Sequence, residues 1–189
     1  MGKIKVWTRQ HKNVAEVLQE TGRYITREEY IRKENQEHSN IILLAYKWLA
    51  SNGPNVKNRP EDVSYPVWVA FESDSLMLPG ENDVIIELEV DEADITPVNV
   101  TKWGMILNYA YIPLNEEDAK RHRELMDMYG VNDPQAVMSQ FYPELKREIK
   151  DSWMRLYDDS VVVGNDLKYG TIWELRREWV TDIKRQTEK

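Results

Sequence analysis

The chain has 189 residues, no cysteine, and 33 acidic against 25 basic residues, a formal net charge of −8. The missing cysteines exclude disulfides, zinc ribbons and thiol chemistry, and the acidic balance opposes non-specific nucleic-acid binding, which needs a basic footprint. With 41% hydrophobic and 31% charged residues, the chain reads as one soluble domain over 1–189, its last residues 184–189 fraying.

Ile4 to Thr8 reads as a first strand. Asn13 with Glu16 forms a relaxed capping box for a short helix carrying Val14, Val17 and Leu18, and Gly22 is placed to stop it. Thr26 with Glu29 suggests a second box and a polar helix running towards Ile41, although Arg32 to His38 is polar enough to be a loop. Ile41, Leu44, Ala45, Trp48 and Leu49 follow the helical template, which Asn52-Gly53-Pro54 terminates. Asn55 to Ser64 is a loop, and Val67 to Phe71 a second strand.

Val84 to Val90 is the clearest strand. Val84, Ile86, Leu88 and Val90 share one face, while Glu87 and Glu89 lie on the other. This alternation predicts a sheet with a packed face and a wet face. Val100, Trp103, Ile106 and Leu107 then recur at helical spacing and are suited to lie back on that sheet. Asn115 caps a helix whose Ala119, His122, Leu125, Met126 and Tyr129 share a face, ending at Gly130. Asp133-Pro134 opens a short helix, and Leu145, Ile149, Trp153 and Leu156 mark another. The closing stretch, Tyr169 to Ile183, fits either a helix or two strands about a short turn.

The chemistry-bearing motifs are sparse. The glycines are isolated, so nothing resembles a phosphate-cradling loop or a dinucleotide fingerprint, and no Gly-x-Ser-x-Gly elbow occurs. His11, His38 and His122 lack metal-ligand spacing, so no metal site is expected of them. Glu87, Glu89, Asp91, Glu92 and Asp94 form an acidic cluster that fits a divalent cation or an acid–base pair, but alternation favours a solvated sheet face. The aromatic set (Trp7, Tyr24, Tyr65, Trp68, Trp103, Tyr109, Trp173 and Trp179) supplies core packing, and a few of its members lining a cleft would suit a flat ring. No apolar run approaches the ~20 residues that span a bilayer. Neither a signal peptide nor a membrane partner is expected, and the expected compartment is the cytoplasm.

Val6-Trp7-Thr8, Thr21-Gly22-Arg23-Tyr24, Ala45-Tyr46-Lys47-Trp48 and Tyr65-Pro66-Val67-Trp68 come in order along the chain. Leu88-Glu89-Val90, Trp103, Leu107-Asn108, Ser152-Trp153-Met154-Arg155 and Thr171-Ile172-Trp173-Glu174-Leu175 follow them. This succession resembles an uncharacterised bacterial and phage family, the domain-of-unknown-function 3841 family, over nearly the whole chain. The resemblance implies an α+β domain and favours strand, turn and strand, a hairpin, for Thr171 to Ile183. The chain departs from the family's pattern where Pro97-Val98-Asn99-Val100 replaces an acidic Asp-x-Asp and near Tyr169-Gly170, where a glutamine is usual.

At the level of element order the chain also looks like small ADP-ribosyltransferase-like proteins, whose split, twisted sheets hold NAD between packed helices. That likeness implies a first-strand contact from Thr8, Arg9 or Gln10, a stacking ring from Tyr24 or Trp68, and a catalytic carboxylate at Glu174. The expectation is therefore a cleft for NAD or a related nucleotide. The alternative is a non-catalytic acidic interaction protein that binds and regulates a protein partner.

Overall fold

Val6 and Thr8 turn one way, and Trp7 and Arg9 the other, in β1 (Lys3–His11), the strand about which the rest is laid out. The computed structural model describes residues 2–35, 39–76 and 79–185. β1 runs directly into α1 (Lys12–Thr21), and the cap is His11, whose Nδ1 accepts from the Asn13 N–H, rather than the expected Asn13. The difference arises because the strand continues past Thr8 to His11. Gly22 ends the helix as expected, with φ 78° and its N–H on Leu18 O.

Two residues, Arg23–Tyr24, form β2, and α2 (Glu28–Asn35) follows. Thr26 bridges to Tyr65, and the helix begins at Glu28, beyond the residue expected to cap it. Gln36, Glu37 and His38, the remainder of the stretch left between helix and loop, lie outside the described residues. α3 (Ser39–Asn52) is the helix the periodicity predicts, although Ile41 on its expected inner face is exposed. β3 (Val67–Ala70), β4 (Asp83–Asp91) and β5 (Thr96–Asn99) come next, then α4 (Val100–Leu107), α5 (Glu116–Tyr129), α6 (Asp133–Met138) and α7 (Pro143–Ser152). α6 is capped by Asn132 in a box with Gln135, not by Asp133, whose carboxylate is engaged elsewhere. A 3-10 turn over Trp153–Tyr157 extends α7. The chain closes with β6 (Lys168–Ile172), β7 (Leu175–Arg176) and β8 (Val180–Arg185). β8 thus includes Lys184 and Arg185, and 186–189 of the expected fraying tail lie outside the described residues.

The fold is α+β. Among the described residues, seven helices accompany an antiparallel six-stranded sheet of order β5-β6-β3-β1-β4-β8, with β2 and β7 as a separate ribbon. The closing segment is strands, but not the expected hairpin. β6 pairs with β3 and β5, β7 with β2, and β8 with β4. Trp173-Glu174 and a 3-10 turn at Arg177–Trp179 divide the segment into three pieces, each of which pairs with a strand from elsewhere in the chain. β5 is an edge strand, which is where Pro97 is tolerated, because an edge leaves one row of N–H groups unneeded. α4 therefore returns at the β5 edge, its Trp103 and Ile106 packed with Val98, rather than over β4.

The inner face of β4 is as the alternation predicts. Val84, Ile86, Leu88 and Val90 are all sealed with Val6, Val67, Val69 and Ile172 beneath Val14, Ala15 and Leu18 of α1. Each such side chain contributes about 1.5–3 kcal/mol by leaving water. The second apolar cluster belongs to the helices and centres on fully buried Trp153, whose Nε1 donates to Ala110 O at 2.9 Å and whose ring meets Trp48 edge-on. The outer face of β4 is wet and paired: Glu87 accepts from Lys5 Nζ at 2.8 Å, Trp7 Nε1 at 3.2 Å and Thr181 Oγ1 at 2.9 Å. Glu89, Glu92 and Asp94 are exposed, so the acidic cluster is a solvated face.

Candidate functional site

β1 pairs with β4 along its whole length, from Lys3 opposite Asp91 to His11 opposite Asp83, but meets β3 at one register position, Trp7 opposite Ala70. Beyond that point the seam is held by side chains. Thr8 Oγ1 donates to Trp68 O at 2.8 Å and accepts from Gln10 Nε2 at 2.8 Å. A cleft of about 230 Å³ opens there. Thr8, Arg9, Gln10, Tyr24 and Trp68, every binding residue expected from the element order, line it.

Each is placed for a local reason. Thr8 is buried in the strand register, where a β-branched residue packs well and its hydroxyl is fully used. Tyr24 lies in β2 opposite Leu175, which aims it away from the Arg23 and Arg176 side of that ribbon. Trp68 donates from Nε1 to the Tyr46 hydroxyl at 2.9 Å and leans on Trp103 with ring centroids 5.4 Å apart. Its indole is therefore oriented before any ligand arrives. Arg9 is held by Asp83 at 2.7 Å. Burial alone would raise the Asp83 carboxyl, but the Gly80 N–H and the Arg9 guanidinium keep it below the usual range.

Glu174 does not join this group. It is 5% exposed, receives Arg176 Nε at 2.6 Å and Arg23 Nε, and lines a separate cavity of about 70 Å³ beside Trp173 and Trp179. The reason is the period of the β2–β7 ribbon, which sends Arg23, Arg176 and the carboxylate to one side and Tyr24 with Leu175 to the other. Arg23 also grips Asp62 with both terminal nitrogens, at 2.6 and 3.0 Å. A carboxylate already shared between two guanidiniums ties the ribbon together and is poorly placed to reach a group in the cleft.

The cleft also contains residues that the sequence did not single out for binding: Tyr30 and Ile31 from α2, Tyr46 from α3, Leu76, and Tyr169 from β6. Tyr169 closes one wall by donating to Ser75 O. Only Tyr46 carried a signal, as part of the Ala45-Tyr46-Lys47-Trp48 motif. The others arrive through strand order, which local periodicity does not encode.

A second concentration of polar groups lies between α5, α6 and α7. His122, buried and stacked on Tyr111 at 3.9 Å, faces Asp133 Oδ1 at 2.8 Å and Glu148 Oε1 at 3.4 Å. Asp118 accepts from the Leu114 N–H at 2.9 Å, the Tyr111 hydroxyl, Arg121 and Arg155. Burial would raise Asp118, but the Leu114 N–H, Arg121, Tyr111 and Arg155 bring its pKa down to about 2. Burial would likewise lower His122, but Asp133 and Glu148 raise it above the ordinary histidine value. Nothing in the sequence spacing brought these residues together, because four segments contribute to the set.

No curated protein and no solved structure matches the chain. Residues 5–181 do match the model of one family, described as a domain of unknown function (DUF3841), so the chain belongs to that family, as the order of its motifs implied.

Proposed function

We propose that this protein binds the flat ring of NAD or a related nucleotide in the cleft at the β1–β3 seam. The observation that carries the reading is convergence: Thr8, Gln10, Tyr24 and Trp68, from three separate strands, line one cavity. Stacking a base on an aromatic ring is worth about 1–3 kcal/mol, and Trp68 is pre-oriented for it by Tyr46 and Trp103. Ordinary hydrogen-bond logic assigns Gln10 the polar edge of the ring, since its Nε2 already serves Thr8 and, among the described residues, nothing donates to its Oε1. The reading is one of binding and assigns no transfer chemistry to Glu174, which two guanidiniums hold outside the cleft.

A thermal-shift screen with NAD, ADP-ribose and common nucleotides tests it. Ligand at ~100 times its dissociation constant stabilises the fold by about 2.7 kcal/mol, which for a chain of this size is a shift of roughly 5–10 °C. The shift should vanish in Tyr24→Ala and persist in Glu174→Gln. A flat screen at millimolar nucleotide would overturn the proposal.

A second reading has its own observation. Met128 and Tyr129 at the end of α5, Met138 at the end of α6 and Phe141 before α7 are all more than half exposed, Phe141 at 86%. Tyr129 and Tyr142 meet edge to face there, with centroids 6.3 Å apart. Exposed apolar side chains at the ends of neighbouring helices suit contact with a protein partner. Gel filtration with candidate partners, comparing wild type with Phe141→Ser, separates this reading from the first.

A further inference from the structure

A larger compartment adjoins the cleft. A cavity of about 380 Å³ lies beside it, and Gln10, Tyr24 and Tyr30 line both. Its far wall is Val14 and Val17 of α1, and its polar groups are His11, Asn13 and Lys33. Two of these side chains are unusually open for their type: Val17 is 37% and Tyr30 45% exposed. Together the two compartments have the dimensions of a small-molecule site of several hundred Å³.

The charge of the lining is the informative feature. The chain carries 33 acidic residues, yet among the described residues neither compartment has an aspartate or glutamate in its lining. Among the described residues, the basic side chains that line them are Arg9, His11 and Lys33. Arg9 is already paired with Asp83. Lys33, exposed in the last turn of α2, makes no salt bridge among the described residues. His11 accepts at Nδ1 from the Asn13 N–H, which leaves Nε2 as the donor nitrogen of the ring. The first compartment is thus rich in aromatic rings, and the second combines an apolar wall with His11, Asn13 and Lys33.

We infer that the second compartment takes the phosphates of a nucleoside diphosphate whose ring occupies the β1–β3 cleft, with Lys33 as counter-ion and His11 as donor. This deepens the proposed function and rests on it: the preferred ligand is a ring joined to a diphosphate, not a free base or nucleoside. Tyr30 and Tyr24 sit at the junction, where the sugar passes from one compartment to the other.

Isothermal titration of the intact protein with adenosine and with ADP, at low and moderate salt, tests the inference. ADP should bind at least about tenfold more tightly than adenosine, a difference of ~1.4 kcal/mol. Lys33→Glu should erase that advantage while leaving adenosine binding unchanged, because Lys33 lines the second compartment and not the first. Equal affinity for adenosine and ADP would overturn the phosphate compartment and leave the ring site standing. An ADP advantage that survives Lys33→Glu would overturn the assignment of the phosphates to this end. Absence of binding by both ligands would overturn the ring site as well.

Discussion

Two regions of this protein gather tyrosine, histidine and arginine, and they differ in what the polar groups face. Around His122 each charge meets another from the protein: Asp133 and Glu148 flank the imidazole, and Arg121 and Arg155 converge on Asp118. Along the β1–β3 seam, among the described residues, no carboxylate belongs to the lining and a cleft is left open. A saturated polar network links segments of the fold and titrates with it. A groove with oriented rings and an unmatched cation is arranged for something else to complete it. Residue type alone therefore does not distinguish a site from a brace; satisfaction does.

Substitutions can break that comparison, and the largest effect belongs to the brace. Asp118→Ala removes the acceptor of the Leu114 N–H and the Tyr111 hydroxyl and one acceptor from each of Arg121 and Arg155, so it should destabilise by about 3 kcal/mol in urea denaturation. The same carboxylate gives an acid limb. Its pKa of about 2 lies below the unfolded value of 3.8. Its contribution, about 2 kcal/mol, is complete above the unfolded value and is lost as pH falls through 2. A melting profile from pH 5 to 2 should steepen in wild type relative to Asp118→Asn.

His122 gives the opposite limb. Its folded pKa is raised, so the stabilisation is fully present below the unfolded value near ~6.5 and disappears as pH rises through the higher folded one. Wild type should lose stability between mildly acidic and alkaline pH, and His122→Gln should flatten the profile. Thr8→Val comes next at about 1 kcal/mol for the lost hydrogen bond to Trp68 O. It should also lower nucleotide affinity, which the brace variants should not. The smallest stability effect is expected from Tyr30→Ala, whose ring is 45% exposed. That change should alter stability by under ~1 kcal/mol and yet weaken ADP by about tenfold, or ~1.4 kcal/mol.

How far the sequence reached depends on whether the determinant was local. The alternation of Val84, Ile86, Leu88 and Val90, the stop at Gly22 and the Asn115 cap each act within a few residues, and each is found as read. The family's motif order was legible too. The destination of each strand was not. β6, β7 and β8 lie within one short stretch, and only their different partners, β3, β2 and β4, reveal why no hairpin forms. The cleft was legible for Thr8, Gln10, Tyr24 and Trp68 through element order. Glu174 came from the same reasoning, but element order fixes which strand a residue is near and not which face of it the side chain takes. Tyr30, Lys33 and Val17 were hidden for a related reason: they belong to helices whose position over the seam depends on the sheet's order.

The claim at the centre of this account is the location of the ligand. A nitrogen–proton correlation spectrum of the labelled protein, titrated with ADP and with NAD, reports it directly. The account predicts that perturbations gather on the amides of Thr8, Gln10, Tyr24 and Tyr30 and on the indole N–H of Trp68, with Lys33 following only for the phosphorylated ligands. Perturbations gathered on Trp173, Glu174 and Trp179, or around His122, would contradict it.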